Sequence, residues 1–398
     1  MTDTLLFSPI EIRGVTSKNR VVIAPMHQYS AIDGLAQDWH MMNVGRYAAG
    51  GAGIVFVEST KIERRGCGTI GDLGAWRDDH VPGLTRLAQT IRANGAVPAI
   101  QLGHSGRKAR CFRPWEGGAP LTRDAAEAEG VTDWDAWELV APSAISPDTK
   151  TPEPRALSQT EIRDHVIAWG QAVRRCHQAG FEVVEIHAAH GYLLHQFLSP
   201  AANQRTDDYG GTEEKRRRLL TEIVEEARAV LPDDKPLFLR LSVEDGAGFG
   251  PDQSVGVARA VAPLGVDVVD CSSGGITGAP VSNTSGYGYQ VPYAERLKRD
   301  GYVMSMAVGL IVHADQAEAI LQRGQADLIA IAREAMHNPN WPMDAAMKLG
   351  ADPASASVPA PINYWLEKRR TSGAITPSTY GSGIDQASVR IGGTDAVT

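Results

Sequence analysis

Residues 161–187 read EIRDHVIAWGQAVRRCHQAGFEVVEIH, and this stretch decides the fold class. Residues 161–179 carry the apolar spacing of an amphipathic helix, and residues 183–187 form a run typical of a strand buried on both faces. On both sides of this stretch, helical patterns alternate with further short apolar runs, and a second clear helix spans 213–230. This alternation predicts an α/β protein with a parallel sheet.

Eight short apolar runs qualify as strands. They occupy residues 20–24, 54–58, 97–101, 183–187, 237–241, 266–271, 303–307 and 328–331. Eight strand–helix units in series predict a closed (β/α)8 TIM barrel, formed as one domain by residues 1–370. A doubly wound open sheet is the competing architecture, and we disfavour it because no Gly-x-Gly-x-x-Gly turn follows the first strand.

Two segments interrupt the alternation. Residues 108–154, after the third strand, are long, polar and rich in Trp and Pro, and we interpret them as a lid-like insertion. Residues 371–398 are rich in Gly, Ser and Thr, which predicts a flexible C-terminal tail.

The composition excludes several classes of protein. The 398 residues include 39 Lys and Arg against 47 Asp and Glu, and this acidic balance argues against binding to nucleic acid. No apolar run reaches the roughly 18 residues of a membrane span, and the first residues lack the pattern of a secretory signal. The four cysteines are widely spaced, which indicates reduced thiols. We therefore expect a cytoplasmic protein.

The active site of such a barrel lies at the carboxyl ends of its strands. Ionisable and polar side chains collect there in this sequence, and they include His27, Tyr29, Gln101, His104, His187, His190, Tyr192, Arg240 and Arg333. Arg240 lies inside an apolar strand, so its guanidinium requires an anion, either a carboxylate or a bound cofactor.

The loops after the last two strands predict a phosphate site. Barrels often bind phosphate there through backbone N–H groups. The loops begin at Val308–Gly309 and Ala332–Arg333, where Gly309 permits close approach and Arg333 supplies charge. Ordinary turn chemistry with a surface arginine is the alternative.

Three roles are open to His187 and His190. They could bind zinc together with His104 or His195, they could donate hydrogen bonds to a substrate oxygen, or one could be a buried structural histidine. We favour oxygen binding, with Tyr192 as a general acid, because the first strand lacks the His-x-His of metal-dependent barrel hydrolases. We therefore expect no metal.

Together these residues resemble the Old Yellow Enzyme family of FMN-dependent reductases, over residues 5–370. The motifs HAAHGYL (187–193) and NQRTDDYGG (203–211) carry the resemblance. Supporting motifs are LFSPIEIRGVTSKNRVVIAPM (6–26), DWHMM (38–42), GHSGRKA (103–109) and ADLIAIARE (326–334). The late segment PAPINYWLEKRR (359–370) is similar to the thermophilic-like branch that includes bacterial xenobiotic reductases.

The resemblance implies a flavin site. Backbone at Pro25 and Met26 would hold one edge of FMN, and Arg240 would stabilise the reduced flavin. The other implied cofactor-binding residues are His27, Ser59, Gln101, Val308, Gly309, Ala332 and Arg333.

The resemblance also implies a reaction. His187 and His190 would bind the oxygen of an α,β-unsaturated carbonyl or nitro compound, and Tyr192 would protonate the α-carbon after hydride transfer from flavin N5. Tyr29 would add a second hydroxyl or an aromatic wall, and NAD(P)H would reload the flavin in a ping-pong cycle.

The branch implies an oligomer as well. Trp365, or else Arg369, would reach the neighbouring subunit's site in a homodimer or a dimer of dimers.

Two positions depart from the branch. His27 stands where a cysteine is usual, and because histidine ordinarily titrates near neutrality we expect it to change the flavin potential and its pH dependence. Ala332 stands where glycine is usual, which requires a negative φ. An oxidative flavin enzyme, such as an amine N-dealkylase, is the alternative function. A metal-dependent barrel hydrolase or lyase and a non-catalytic binding protein are disfavoured.

Overall fold

The computed structural model describes residues 4–277, 286–351 and 357–371. Its strands, in chain order, are β1 (Ile10–Ile12), β2 (Val15–Ser17), β3 (Val21–Ile23), β4 (Ile54–Lys61), β5 (Val97–Gly103), β6 (Val140–Ala141), β7 (Arg155–Ala156), β8 (Val183–Ala188), β9 (Leu237–Ser242), β10 (Val268–Ser272), β11 (Met304–Ala307) and β12 (Leu328–Ile331). Its α-helices are α1 (Asp38–Ala49), α2 (Val81–Ala93), α3 (Arg123–Ala128), α4 (Gln159–Gln178), α5 (Leu193–Leu198), α6 (Glu213–Val230), α7 (Pro251–Val261), α8 (Val291–Gly301), α9 (Ala314–Gln322), α10 (Arg333–His337), α11 (Trp341–Lys348) and α12 (Ala360–Thr371).

Eight parallel strands form a closed barrel. They hydrogen-bond in the order β3, β4, β5, β8, β9, β10, β11 and β12, and β12 pairs with β3 to complete the circle. The predicted (β/α)8 barrel is confirmed, and the open doubly wound sheet is wrong because the first and last strands of the barrel pair with each other. Strand β4 runs to Lys61, three residues beyond the predicted end at position 58.

The two faces of the strands build two apolar layers. Successive side chains of a strand point to opposite faces, so Val22, Phe56 and Phe238 pack together inside the barrel. Ile10 and Ile12 of the β1–β2 hairpin join this inner cluster. The outward-facing strand residues pack against the helices in a second and larger cluster.

The same alternation carries polar residues into the barrel near its carboxyl end. Two residues beyond the apolar layer, the inward positions are Gln101, Glu185, Arg240 and Asp270, all of them buried. The register places Arg240 beside Asp270 on one side and beside His187 on the other. The strand period therefore leads from the core directly into the candidate site.

The two long helices begin at N-cap residues whose side chains accept a backbone hydrogen bond. The Ser158 hydroxyl accepts a hydrogen bond from the Glu161 N–H while the Glu161 carboxylate accepts one from the Ser158 N–H, which starts α4 at Gln159. The Thr212 hydroxyl accepts from the Lys215 N–H and starts α6. Both predicted helices are confirmed, and α4 begins two residues earlier than expected because its cap is Ser158.

The segment 108–154 contains α3, β6 and a small apolar cluster formed by Leu121, Ala126 and Trp137 with Cys67. The Trp137 indole N–H donates to the Cys67 carbonyl over 3.0 Å, which anchors the segment on the loop that follows β4. Its role as a lid stays a prediction.

Of the predicted tail, residues 372–398 lie outside the described residues, and Thr371 ends α12. Among the described residues, no helix combines the length and apolar character that a membrane crossing needs.

Candidate active site

His187 and His190 lie side by side where β8 ends. Their ring centroids are 5.2 Å apart, and His187 Nε2 lies 3.4 Å from His190 Nδ1. The Ala189 N–H donates to His187 Nδ1, so a neutral His187 carries its proton on Nε2 and directs it at His190 Nδ1. His190 then carries its own proton on Nε2, which lies 2.7 Å from the Ser272 hydroxyl oxygen. The neighbours thus fix one tautomer for each ring.

Both imidazoles are uncharged near neutral pH. Burial lowers the pKa of His187 well below its usual value, and the adjacent His190 and Arg240 lower it further. Burial also lowers the pKa of His190 well below its usual value, with Arg240 as the next largest cause. The pair therefore offers neutral N–H donors.

The backbone of His190 is clamped in the left-handed region, at φ 58°. Its N–H donates to the Ser242 hydroxyl over 2.9 Å, and its carbonyl accepts from Lys108 Nζ over 2.9 Å. Burial lowers the pKa of Lys108 to about 8. A non-glycine residue adopts this conformation only when its surroundings hold it there, so the contacts set the direction of the His190 ring.

The zinc alternative lacks its third ligand. His104 lies 2.7 Å from the Glu63 carboxylate, and its Nδ1 accepts the Gly106 N–H. Similarly, His195 Nδ1 accepts the Gly191 N–H, and its Nε2 faces Asp245 at 3.6 Å. In both neutral rings Nδ1 accepts a backbone N–H, so Nε2 carries the proton and has no lone pair for a metal. Among the described residues, neither His104 nor His195 has a nitrogen free to complete a zinc site with the active-site pair.

Glu63, His104 and His165 form a second group, in which one nitrogen or oxygen atom of each lies within 4.8 Å of the others, as in a metal centre. His165 Nε2 accepts the Trp169 indole N–H, so its proton sits on Nδ1, 3.2 Å from Glu63. His104 likewise presents a proton from Nε2. Both nitrogens that face Glu63 are therefore donors, not metal ligands.

Tyr192 completes the cluster predicted after β8. Its ring centroid lies 4.7 Å from that of His187 and 6.1 Å from that of His27. Burial raises the pKa of the Tyr192 hydroxyl above its ordinary value, and the charge of Asp72 adds to this. The phenol therefore keeps its proton until it meets a strongly basic atom.

His27 and Tyr29 form a wall facing that cluster. Their rings stack at 5.1 Å with 13° between planes, and the edge of the Trp115 ring, from segment 108–154, contacts Tyr29. Burial, with the charge of Lys61 as the next largest cause, lowers the pKa of His27 to about 3. The expectation that His27 titrates near neutrality is therefore wrong. Burial also raises the pKa of Tyr29.

A fully buried lysine, Lys61, stands at the centre of this wall. Its Nζ lies 3.2 Å from His27 Nε2, 3.3 Å from the Ser59 hydroxyl and 3.4 Å from the Asp72 carboxylate. It also lies 4.9 Å from the centre of the Tyr192 ring. Sequence reasoning missed Lys61 and Asp72, because it ended the strand at position 58. Reading the strand to its end would have placed a lysine at the catalytic rim.

The anion predicted for Arg240 is a carboxylate. Arg240 Nε lies 3.3 Å from Asp270, and Glu185 accepts a hydrogen bond from Gln101 over 2.8 Å. Burial and the charge of Asp270 raise the pKa of Glu185 well above its usual value, so Glu185 is neutral. The contact with Asp270 is an ion pair that lacks hydrogen-bond geometry, so Arg240 Nε donates no hydrogen bond among the described atoms. The guanidinium therefore retains donor capacity toward a bound group.

The predicted phosphate loops lie together because β11 and β12 pair in the barrel. Gly309 has φ 108°, and a Cβ there would come within 2.6 Å of Gln290 Nε2, so the loop admits only glycine. Ala332 has φ −115°, which meets the condition for a residue other than glycine. Arg333 is exposed beside it. The site thus combines a glycine cradle with a cation, and it fits a phosphate.

The other expected cofactor positions lie at or just beyond the carboxyl ends of the barrel strands. Ser59 and Gln101 are buried, whereas Pro25 and Met26 are half-buried and follow β3. The Met26 carbonyl accepts from the Gln28 amide over 2.9 Å. The Val308 carbonyl accepts from Gln290 over 3.2 Å.

Trp365, the expected contribution to a neighbouring site, lies on α12 and is 70% exposed. Its ring meets that of Tyr364 at 5.1 Å. Trp365 is therefore not packed into its own barrel.

The sequence matches the NADH:flavin oxidoreductase / NADH oxidase family over residues 5–351. The NADPH dehydrogenase of Geobacillus sp. (strain WCH70) is 41% identical over 360 residues, covering 89% of this chain and 97% of that enzyme. Among solved structures, morphinone reductase has a TM-score of 0.72 at 25% identity, covering 87% of this chain and 90% of its own. The old yellow enzyme homologue from Zymomonas mobilis has a TM-score of 0.70 at 27% identity, covering 86% and 92%. The protein therefore belongs to the NADH:flavin oxidoreductase family of Old Yellow Enzymes, and it is an oxidoreductase that uses FMN with NAD(P)H as reductant.

Proposed function

We propose that this enzyme reduces the activated C=C bond of α,β-unsaturated carbonyl or nitro compounds. The observation that carries the proposal is the pair of neutral imidazole N–H donors at His187 and His190, with a protonated tyrosine beside them. Neutral donors suit a neutral carbonyl or nitro oxygen, on which negative charge develops during reduction.

The division of labour follows from the protons. When bound and reduced by NAD(P)H, FMN would supply the hydride that the β-carbon of the substrate receives. To reach the substrate oxygen, His187 would turn its Nε2 proton away from His190 Nδ1, at 3.4 Å, and His190 would turn its Nε2 proton away from the Ser272 hydroxyl, at 2.7 Å. Tyr192 gives its proton to the α-carbon and regains one from water. Hydride and proton together saturate the double bond, and the substrate gains two electrons.

We propose that the cofactor is held by residues at the carboxyl ends of the barrel strands. Arg240 would meet the flavin ring with its guanidinium, and Gly309 with Arg333 would hold the phosphate. The remaining cofactor positions proposed are Pro25, Met26, Ser59, Gln101, Val308 and Ala332. His27 and Tyr29 would border the substrate, and Trp365 or Arg369 would cover the site of a second subunit.

An anaerobic experiment tests the reaction. The holoenzyme is reduced with NAD(P)H, mixed with enones and nitroalkenes, and followed at the absorbance of oxidised flavin near 450 nm. We expect rapid reoxidation and a saturated product. If the oxidised enzyme is instead reduced by N-methyl amines while enones leave the reduced enzyme unchanged, the oxidative alternative is correct.

A further inference from the structure

Lys61 is fully buried, and three polar groups lie close to its Nζ. They are His27 Nε2 at 3.2 Å, the Ser59 hydroxyl at 3.3 Å and the Asp72 carboxylate at 3.4 Å. Asp72 is itself held by the Gly68 N–H at 2.7 Å and the Thr69 hydroxyl at 2.8 Å. A carboxylate with two hydrogen-bond donors and a facing lysine forms a buried ion pair, so Lys61 is an ammonium.

The direction of the hydrogen bond between Lys61 and His27 follows from this charge. An ammonium has three N–H donors and no lone pair, so it can only donate. His27 Nε2 must accept, and the proton of the neutral ring therefore sits on Nδ1. No hydrogen-bond partner faces His27 Nδ1 among the described residues.

We propose that Lys61 is a positioning residue that locks His27 in the Nδ1–H tautomer, so that the ring presents one uncharged donor to the bound FMN. The inference rests on the proposed placement of FMN beside His27. It adds a residue, Lys61, to which the family comparison and the sequence assigned no role. With Lys61 in place, the His27 ring would stay neutral and donate from Nδ1 instead of titrating.

The surroundings of His27 keep the ring neutral. From β4 comes Lys61, from β9 Arg240 and from the turn after β8 Tyr192, while Tyr29 stacks on the ring from its own loop. Burial is the largest cause of the lowered pKa, which lies at about 3, and Lys61 and Arg240 add to it. Asp72 is the opposing charge, and Lys61 stands beside it.

The direct test reads the tautomer. Holoenzyme with ¹⁵N-labelled histidine is studied by NMR, and the His27 ring is assigned by its loss in His27→Gln. We expect an unprotonated Nε2 and a protonated Nδ1 from about pH 6 to 9. In Lys61→Met, we expect the other tautomer to gain population and an imidazolium to appear toward the acid end of that range, because the donor and the adjacent cation are removed.

The second readout is the midpoint potential of the bound flavin. The wild type should show no inflection from His27 between about pH 6 and 9, and Lys61→Met should gain one, with a higher potential on its acid side. Lys61→Arg keeps a cationic donor and should behave as the wild type. Because Lys61→Met strands Asp72, the double variant with Asp72→Asn supplies the same test with both charges removed.

The outcomes separate the two proposals. A wild-type His27 that is protonated on Nε2, or a tautomer unchanged in both the single and the double variant, overturns the role of Lys61. If the wild-type holoenzyme does not reduce enones although His27 has the expected tautomer, the proposed reaction is wrong and the role of Lys61 is unaffected.

Discussion

Two clusters of imidazoles lie in this barrel, and their comparison shows what makes one of them a site. Burial raises the pKa of Glu63, but His104 and His165 each direct a ring proton at its carboxylate, and these hydrogen bonds keep the pKa well below its usual range. His187 and His190 have no such carboxylate among the described residues, and the bond between them is long, at 3.4 Å. Both clusters contain histidine rings with a polar neighbour within about 3.5 Å. The protons of His187 and His190 face a neutral imidazole and a hydroxyl, which a ligand oxygen can replace, whereas those of His104 and His165 are held by a carboxylate.

The largest effect should come from the proton donor of the catalytic cluster. We expect Tyr192→Phe to slow reoxidation of reduced enzyme by an enone by about 10²–10⁴-fold, since it removes a general acid. Flavin reduction by NAD(P)H should change little, because that step needs no proton from the phenol. Stopped-flow measurement of the two half-reactions separates these effects, and an equal loss in both would contradict the assigned role.

The second prediction removes an oxygen-binding donor. We expect His190→Ala to lower kcat/KM for enones by about 10²–10³-fold, the usual cost of one such donor, and to weaken binding of phenol ligands in parallel. His190→Asn retains an N–H donor and should recover part of both losses. Ligand titration and steady-state kinetics measure them, and unchanged turnover in the alanine variant would exclude His190 from oxygen binding.

The third prediction concerns the other cluster. We expect Glu63→Gln to lower the free energy of unfolding by about 1–3 kcal/mol, because two buried imidazole donors lose a charged acceptor. The affinity for phenol ligands should stay at the wild-type value. Urea unfolding of the holoenzyme measures the first quantity and ligand titration the second.

This stability difference should depend on pH. Glu63 has a lowered pKa in the folded protein, so its contribution is fully present above the usual value of 4.5 and is lost as pH falls through the folded value. The gap between wild type and Glu63→Gln should therefore narrow in acid. A gap that widens as pH falls would show that Glu63 is protonated in the folded state.

The smallest expected effect is a flat pH profile. His27, His187 and His190 all have lowered pKa values, that of His27 at about 3. The KM for a neutral enone should therefore vary little between about pH 6 and 9. A step near the ordinary histidine value of 6.5 would place a charged imidazole in the site and contradict the comparison between the clusters.

The sequence by itself predicted the barrel, because buried parallel strands leave continuous apolar runs between helical patterns. It also placed His187, His190 and Tyr192 together, since they share one turn after one strand. The demand of Arg240 for an anion followed from its position in an apolar run. These inferences are local, or they depend on a fold whose strand ends meet at one rim.

The sequence does not show which histidines have their protons held by a carboxylate, because that depends on the tertiary structure. His104 and His190 both follow barrel strands, but Glu63 accepts the proton of one and no carboxylate does so for the other, and such pairings join residues distant in sequence. Lys61 shows the same limit, because its effect on His27 exists only once β4 lies beside the loop after β3. Composition and spacing identify the groups that can carry protons, whereas the side chains brought around them determine where each proton resides.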